Sequence, residues 1–302
     1  MLHDIDMPFS LWSPMRGIST NDHIPLNFVR IPNQCITYGS AEIQTGLSGK
    51  ATLRAWYFCS LHLHSSTVIS HTKAMTNTLD MATIQADFDR LALLSSETWD
   101  HNNHYHRFLL RQIPQHCSDV LEIGCGSGMF ARLLEQKAEH VLALDLSPQM
   151  ISLARERSKQ FTNIDFQVAD VQPLEFSSGQ FDCVVSIATL HHLPMEDILT
   201  KLKAALATNG ILIVLDLYQA RLIDLPISLI AIPWNLVLKF LKTGHIMEPK
   251  AVREAWAAHG KHDSYLTLVQ LRKICREILP GARVKRHLLW RYSLIWKKIP
   301  AS

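Results

Sequence analysis

Three glycines at alternate positions, Gly124, Gly126 and Gly128, follow the apolar run Val120-Leu121-Glu122-Ile123 and precede a helical pattern through Met129, Phe130, Leu133 and Leu134. A turn of this composition carries no side chain over its backbone, so its N–H groups can meet a flat or charged ligand directly. Acids close the next two apolar runs: Asp145 ends Val141-Leu142-Ala143-Leu144, and Asp170 ends Ile164-Asp165-Phe166-Gln167-Val168-Ala169. A carboxylate about twenty residues past the first glycine can accept both hydroxyls of a ribose. A fourth run, Phe181-Asp182-Cys183-Val184-Val185-Ser186, leads into Ile187-Ala188-Thr189-Leu190-His191-His192-Leu193. An imidazole at such a loop can take a proton near neutral pH, so His191 or His192 is a candidate base; the alternative is that one caps the loop while the other faces solvent. The dinucleotide fingerprint G-x-G-x-x-G is not met, because the third glycine comes one residue early and Met129 stands in the next place.

These residues need elements to hold them, and the hydrophobic pattern supplies the elements. It predicts strands at 119–123, 140–145, 164–169, 181–186 and 210–217, with helices at 128–137, 148–159 and 195–207 between them. Asn209-Gly210 reads as the turn before the fifth strand, and the helix after the glycines would turn a partial positive charge toward the ligand. A helix at 266–279, stopped by Pro280-Gly281, is followed by two antiparallel strands within 282–296. Such alternation demands an α/β fold: a Rossmann-like, doubly wound, mostly parallel seven-stranded sheet with an antiparallel last strand and helices on both faces. Right-handed crossovers then bring the glycine turn, Asp145, Asp170 and the 187–192 loop to one crevice.

With those residues in order, Glu122-x-Gly124-x-Gly126-x-Gly128 resembles the first motif of the class I S-adenosylmethionine (SAM)-dependent methyltransferases, and the later runs resemble their second to fourth motifs. The resemblance covers roughly residues 80 to 298. It implies SAM as cofactor and a cofactor-binding set of Glu122, Gly124, Cys125, Gly126, Gly128, Asp145, Leu146, Asp170, Val171 and Ser186. In that family Asp145 would hold the ribose, Asp170 would face the adenine amino group and Val171 would flank the ring. The resemblance also implies a helical arm, 76–118, whose His101, His104 and Tyr105 would form a lid over cofactor or substrate. His101 and His104 share a helix face but specify no third ligand, so no metal is expected. The Pro-Gly-Gly-like turn usual before the fifth strand is replaced by Ala207-Thr208-Asn209-Gly210, a structural departure. A non-methylating SAM-type binder such as an aminopropyl transferase, a dinucleotide-dependent oxidoreductase and a non-catalytic methyltransferase-like binding module are the competing readings.

With 302 residues, 47% of them hydrophobic, the chain can bury a large core. A net charge of +3 does not by itself argue for nucleic acid. The fourth motif lacks the Asn/Asp-Pro-Pro-aromatic sequence of exocyclic-amine methylases and there is no Pro-Cys nucleophile, so the expected partner is a small-molecule acceptor and no nucleic acid. The six cysteines form no C-x-x-C pair, which suits a reducing cytoplasm. Residues 1–75 show no sustained period and read as a poorly structured extension, possible to omit if the native product starts at Met75 or Met81. The catalytic domain is 119–302, with a substrate-covering insertion at about 218–262 in which Trp234, Leu236, Phe240 and Trp256 either line an apolar pocket or pack as core. Within 223–241, prolines and polar residues argue against a transmembrane span and leave peripheral membrane contact open. Arg283, Lys285, Arg286, Arg291, Lys297 and Lys298 read as a solvated edge. The oligomeric state is left open.

Overall fold

A computed structural model describes residues 81–94, 99–261 and 263–300, all within the unit Thr72–Ser302. The extension 1–75, and with it the proposed start at Met75, lies outside the described residues. The sheet has the order β3-β2-β1-β4-β5-β7-β6, built from β1 (Cys117–Ile123), β2 (Ala138–Asp145), β3 (Ile164–Val168), β4 (Phe181–Ile187), β5 (Leu206–Leu217), β6 (Arg283–Arg286) and β7 (Arg291–Lys297). β1 to β5 run parallel, and β7 enters antiparallel between β5 and β6. The strand order reverses between β1 and β4, where an open α/β sheet forms its ligand crevice. Register makes the strand ends level there: Ile123 lies opposite Leu144 on one side and Ser186 on the other, and Ile187 lies opposite Leu215.

Neighbouring residues of a strand face opposite sides of the sheet, and the two cores follow from that alternation. Leu121 and Val184 pack with Ile198, Leu199 and Leu202 of α5 (Met195–Ala205) and with Leu271 and Cys275 of α8 (Leu268–Ile278). Val120 and Cys183 pack on the other face with Leu109 of α2 (His106–Leu110), Leu134 of α3 (Ala131–Leu134), and Ile151 and Ala154 of α4 (Pro148–Arg157). Thr267 and Gln270 form a capping box at the start of α8, and Ser147 caps α4 by accepting from the Met150 N–H. Proline stands in the first turn of α4, as expected, where no intrahelical N–H is lost.

The structure corrects several expectations. The helix expected at 128–137 is one turn, α3, continued by a 3-10 turn at Glu135–Lys137, because Gly128 to Phe130 are still part of the bend. A helix this short has no macrodipole to offer a ligand at the glycines. Asn209 and Gly210 are not a turn before β5 but lie inside it, with Asn209 at φ 67 and a register irregularity against β4. Of the basic residues near the C-terminus, Arg283, Lys285 and Lys297 are exposed as expected, but Arg291 is buried with its Nε donating to Asn102 Oδ1 at 2.8 Å, Arg286 pairs with Asp224, and Lys298 Nζ donates to the Leu206 carbonyl at 2.6 Å.

Helix α1 (Met81–Leu94) packs against α4 and against α7 (Lys250–His259). Its Asp89 accepts from Ser147 Oγ at 2.5 Å and from the Gln149 N–H at 3.3 Å, which fastens the arm two residues beyond Asp145. The insertion 218–262 folds as α6 (Leu225–Thr243), closed by Gly244 at φ 73, and α7. Among the described residues no helix is long and apolar enough to cross a membrane. Trp234, Phe240 and Trp256 are about half exposed, so they do not line an enclosed pocket as one expectation had it.

Packing around Gly128 gives a stability test. Its φ is +77, and a Cβ there would sit 2.8 Å from the Phe166 ring and 3.1 Å from Ala154 Cβ. Left-handed strain plus overpacking should make Gly128→Ala lose about 2–4 kcal/mol, read as a lowered midpoint in urea unfolding.

Candidate functional site

The glycine bend is held by the neighbouring strand. The N–H groups of Gly124 and Cys125 both donate to the Leu144 carbonyl, at 2.8 and 3.0 Å. The next N–H, of Gly126, donates to Asp145 Oδ2 at 2.8 Å, while Asp145 Oδ1 accepts from the Ser147 N–H at 2.9 Å. The two outer glycines are closed by protein: a Cβ on Gly124 would fall 1.9 Å from Thr189 Oγ1, and Gly128 is covered by Phe166. Gly126, at φ +52, has nothing within 4 Å of where its Cβ would be. The bend is therefore open at one residue, directly beside the Asp145 carboxylate.

Two acids shape the electrostatics below it, Glu122 buried and Asp145 partly exposed. Burial first, and the Asp145 carboxylate second, push Glu122 up to about 8, and Glu122 Oε2 has no hydrogen-bond partner. Burial raises Asp145 as well, against the N–H donors of Ser147 and Gly126. An orphaned acid oxygen, a cradle that a single methyl would fill, and a second carboxylate with lone pairs to spare suit a small ligand carrying positive charge and hydroxyl donors. The residues present thus fit an aminoacyl sulfonium nucleoside such as SAM.

The remaining expected cofactor residues are distributed less evenly. Leu146 and Asp170 are partly exposed, with Asp170 Oδ1 accepting from the Gln172 N–H at 2.8 Å. Val171 is buried in the core. Cys125 is buried, and burial pushes its thiol well above the usual range, so it is inert packing at the bend. Ser186 is fully buried and its hydroxyl donates to the Ile123 carbonyl at 3.1 Å, a tie between β4 and β1.

After β4 the chain turns sharply. Ala188 takes φ 52 and its N–H donates to the Leu215 carbonyl at 2.7 Å, a strained backbone position that sends the 3-10 turn Leu190–His192 toward β5. There the buried Asp216, at the end of β5, accepts the His191 N–H at 3.0 Å on Oδ2 and faces His191 Nδ1 with Oδ1 at 2.7 Å. That pairing fixes the tautomer with Nε2 as the unprotonated nitrogen. His192 is different: burial first, then the neighbouring His191, pull it down to about 3, and neither ring nitrogen has a hydrogen-bond partner. Leaving such groups unsatisfied costs about 1–3 kcal/mol each. Around His192 stand Asp263, His259 and Tyr265 from the insertion and the segment after it, and Asp87 from α1.

The sequence reading missed this cluster, together with Asp89 and Asp216. Asp216 carried a signal, a lone acid closing the apolar run 211–217 at a strand's C-terminal end. His259 and Asp263 are four residues apart in an irregular region, and nothing local links them to His192.

The expected lid residues lie elsewhere. His101 Nε2 and Asn235 Oδ1 of α6 are 2.7 Å apart, and burial, then Arg291, pull His101 down to about 4. His104 stacks edge-on against Tyr105, whose hydroxyl donates to the Leu288 carbonyl at 2.5 Å. His101 fastens the arm to α6 and Tyr105 to the β6–β7 turn, while His104 packs on Trp99 and Tyr105 within the arm. The arm side chain that meets the glycine bend is His106, whose ring packs on Phe130 at 5.0 Å.

Comparison with known proteins agrees with this geometry. Residues 120–210 match the family described as methyltransferase domain. An uncharacterized methyltransferase of Mycobacterium bovis, like one of Mycobacterium tuberculosis, is 30% identical over 204 residues, which covers 67% of this chain and 98% of that protein. The malonyl-[acyl-carrier protein] O-methyltransferase of a Paenibacillus species is 43% identical over 102 residues, covering 31% of this chain and 37% of its own length. Among solved structures, a chain of the Haloferax volcanii complex between the Trm112 methyltransferase activator and a methyltransferase superposes with a TM-score of 0.52 at 15% identity, covering 72% of this chain and 99% of its own, which is a likeness of fold.

Glu122 predicts a pH dependence of stability. Its folded value of about 8 exceeds the ordinary value of 4.5, so the folded state keeps a proton that the unfolded chain releases. The contribution is fully present below the unfolded value and is lost as pH climbs to about 8, at up to ~1.4 kcal/mol per pH unit. Urea unfolding at pH 5 and pH 8 should show Glu122→Gln with a shallower fall in stability than the wild type.

Proposed function

This chain belongs to the class I SAM-dependent methyltransferases, and from that premise we propose that it methylates an oxygen of a small, largely apolar acceptor. The observation that carries the reading is the single open glycine, Gly126, whose N–H is shared with Asp145 and whose neighbour Gly124 lies against Thr189 of the loop bearing His191. The bend 124–128 would hold the amino-acid part of SAM, Asp145 the ribose, and Asp170 with Val171 the adenine. Glu122, below the bend, offers its unpartnered oxygen to a positively charged group.

SAM, when bound, supplies a methyl carbon made electrophilic by its sulfonium. The chain's own task is to align the acceptor, exclude water and take a proton. Of the two adjacent histidines, His191 is built for the last of these: Asp216 holds Nδ1 and leaves Nε2 to accept the hydroxyl proton as the new oxygen–carbon bond forms and the sulfur–carbon bond breaks. His192 is too weak a base near neutral pH. Oxygen is favoured by the Paenibacillus relative, named as an O-methyltransferase, although the chain spans about a third of that protein. An apolar acceptor, or one drawn from a membrane surface, is favoured by the exposed Leu229, Ile230, Phe240 and Leu241 of α6.

Calorimetry and isotope transfer test this. Gly126→Ala should fold with a stability loss of only about 1–2 kcal/mol yet bind SAM more than about tenfold more weakly, because the methyl fills the cradle. Asp145→Ala should likewise lose about tenfold or more in affinity. With the acceptor found by incubating metabolite extract with methyl-labelled SAM, His191→Ala should cut turnover by about 10²–10⁴ while SAM affinity stays unchanged. SAM binding by Gly126→Ala equal to wild type would sink the cofactor assignment, and label carried on nitrogen or carbon would sink the oxygen acceptor.

A further inference from the structure

Four separate elements bring nitrogen and oxygen ligands to one buried point beside the 3-10 turn Leu190–His192. His192 comes from the loop after β4, His259 from the last residue of α7, Asp263 from the segment before α8, and Asp87 from α1. The side chains of His192, His259 and Asp263 are 4%, 4% and 6% exposed. Asp263 Oδ1 lies 3.6 Å from His192 Nδ1 and 3.5 Å from His259 Nε2. Both separations are long for an N–H···O bond, and Asp263 Oδ1 and both nitrogens of His192 have no hydrogen-bond partner. Two ligands on one tetrahedral ion, bound at about 2.0–2.1 Å, stand about 3.3 Å apart, close to the two separations that Asp263 Oδ1 makes. Two imidazoles on such an ion have ring centres about 5 Å apart by the same geometry; those of His192 and His259 are 5.1 Å apart. His191 also brings a ligand atom within 4.8 Å of those of His192 and Asp263, but its ring is stacked on His192 with centres 3.9 Å apart, closer than two imidazoles on one ion stand.

We propose that His192, His259 and Asp263 bind one first-row divalent transition-metal ion, with Zn2+ the best match. His259 and Asp263 are each oriented through the atom that does not face the ion. Asp87 Oδ2 lies 3.3 Å from His259 Nδ1, and the Tyr265 hydroxyl donates to Asp263 Oδ2 at 2.5 Å, which leaves Nε2 and Oδ1 to the ion. Such outer partners are what hold a metal-binding imidazole or carboxylate in place. Two imidazoles disfavour Mg2+ and Ca2+, which prefer oxygen ligands throughout. Three protein ligands leave a fourth position for water or a small oxygen ligand. The ion would tie α1, α7 and the loop after β4 together. This site stands on its own ligands and does not depend on the acceptor reading above.

The test uses the full chain, expressed without a polyhistidine tag, stripped with chelator and titrated with Co2+ as a spectroscopic probe and then with Zn2+. The expected result is one ion per chain, a visible ligand-field spectrum of four-coordinate Co2+ without a thiolate charge-transfer band, displacement by Zn2+, and a raised melting temperature. Asp263→Asn, nearly isosteric, and His192→Ala should each weaken binding by at least about 100-fold, and Asp87→Asn, acting through His259, by about 10–100-fold. If His192→Ala does not fold in chelator, Asp263→Asn decides alone. No stoichiometric binding by wild type, a thiolate band that marks the cysteines as ligands, or equal binding by wild type and Asp263→Asn would each overturn the proposal; in the first case the cluster shares only protons.

Discussion

The hydrogen bond from the Gly126 N–H to the Asp145 carboxylate is the contact on which the rest of the molecule converges. It joins the end of β1 to the end of β2, and it exists because the parallel register sets Ile123 opposite Leu144. The same register sets Ile123 opposite Ser186, so the loop after β4 arrives against Gly124 with no room for a side chain between them. Backbone geometry thus builds a cradle whose one opening is at Gly126. Shifting any of these strands by one residue would turn its side chains to the wrong face and separate the loops.

A second constraint is electrostatic. Glu122 and Asp145 are two acids at one bend; burial raises both, and the Asp145 carboxylate raises Glu122 further. A protein under selection for stability alone has little reason to keep two such acids there. A positively charged ligand with hydroxyl donors would remove the conflict, so carboxylates that burden the unliganded fold suit a cation of that kind. The family relationship, found over 204 residues, agrees with what the carboxylates require.

The insertion between β5 and α8 works differently from the sheet. Its α6 leaves Leu229, Ile230 and Leu241 exposed, while α7 and the following segment turn His259, Asp263 and Tyr265 inward to meet the loop after β4 and the arm helix α1. One part of the insertion therefore presents an apolar surface and the other packs polar side chains against the loop after β4 and the arm. The arm contributes at both points, through Asp87 at the histidine cluster and Asp89 at the cap of α4.

Much of this was legible in the residues themselves. Apolar runs of strand length, separated by helical periods, dictate a parallel α/β sheet, because buried parallel strands have no other way to cover both faces. The glycine spacing and the acids at strand ends pointed to one end of the sheet as the ligand crevice, since those features are local and repeat at fixed offsets. What the sequence could not set was the partner of each polar side chain. Ser186 turned out to brace β1, Arg291 to be buried against Asn102, and Asn209 to sit within a strand, all decided by packing across the sheet. The histidine cluster was hidden for the same reason. His192, His259, Asp263 and Asp87 are spread over more than 170 residues of chain, and only tertiary folding, which ignores sequence separation, brings their ligand atoms within reach of one another.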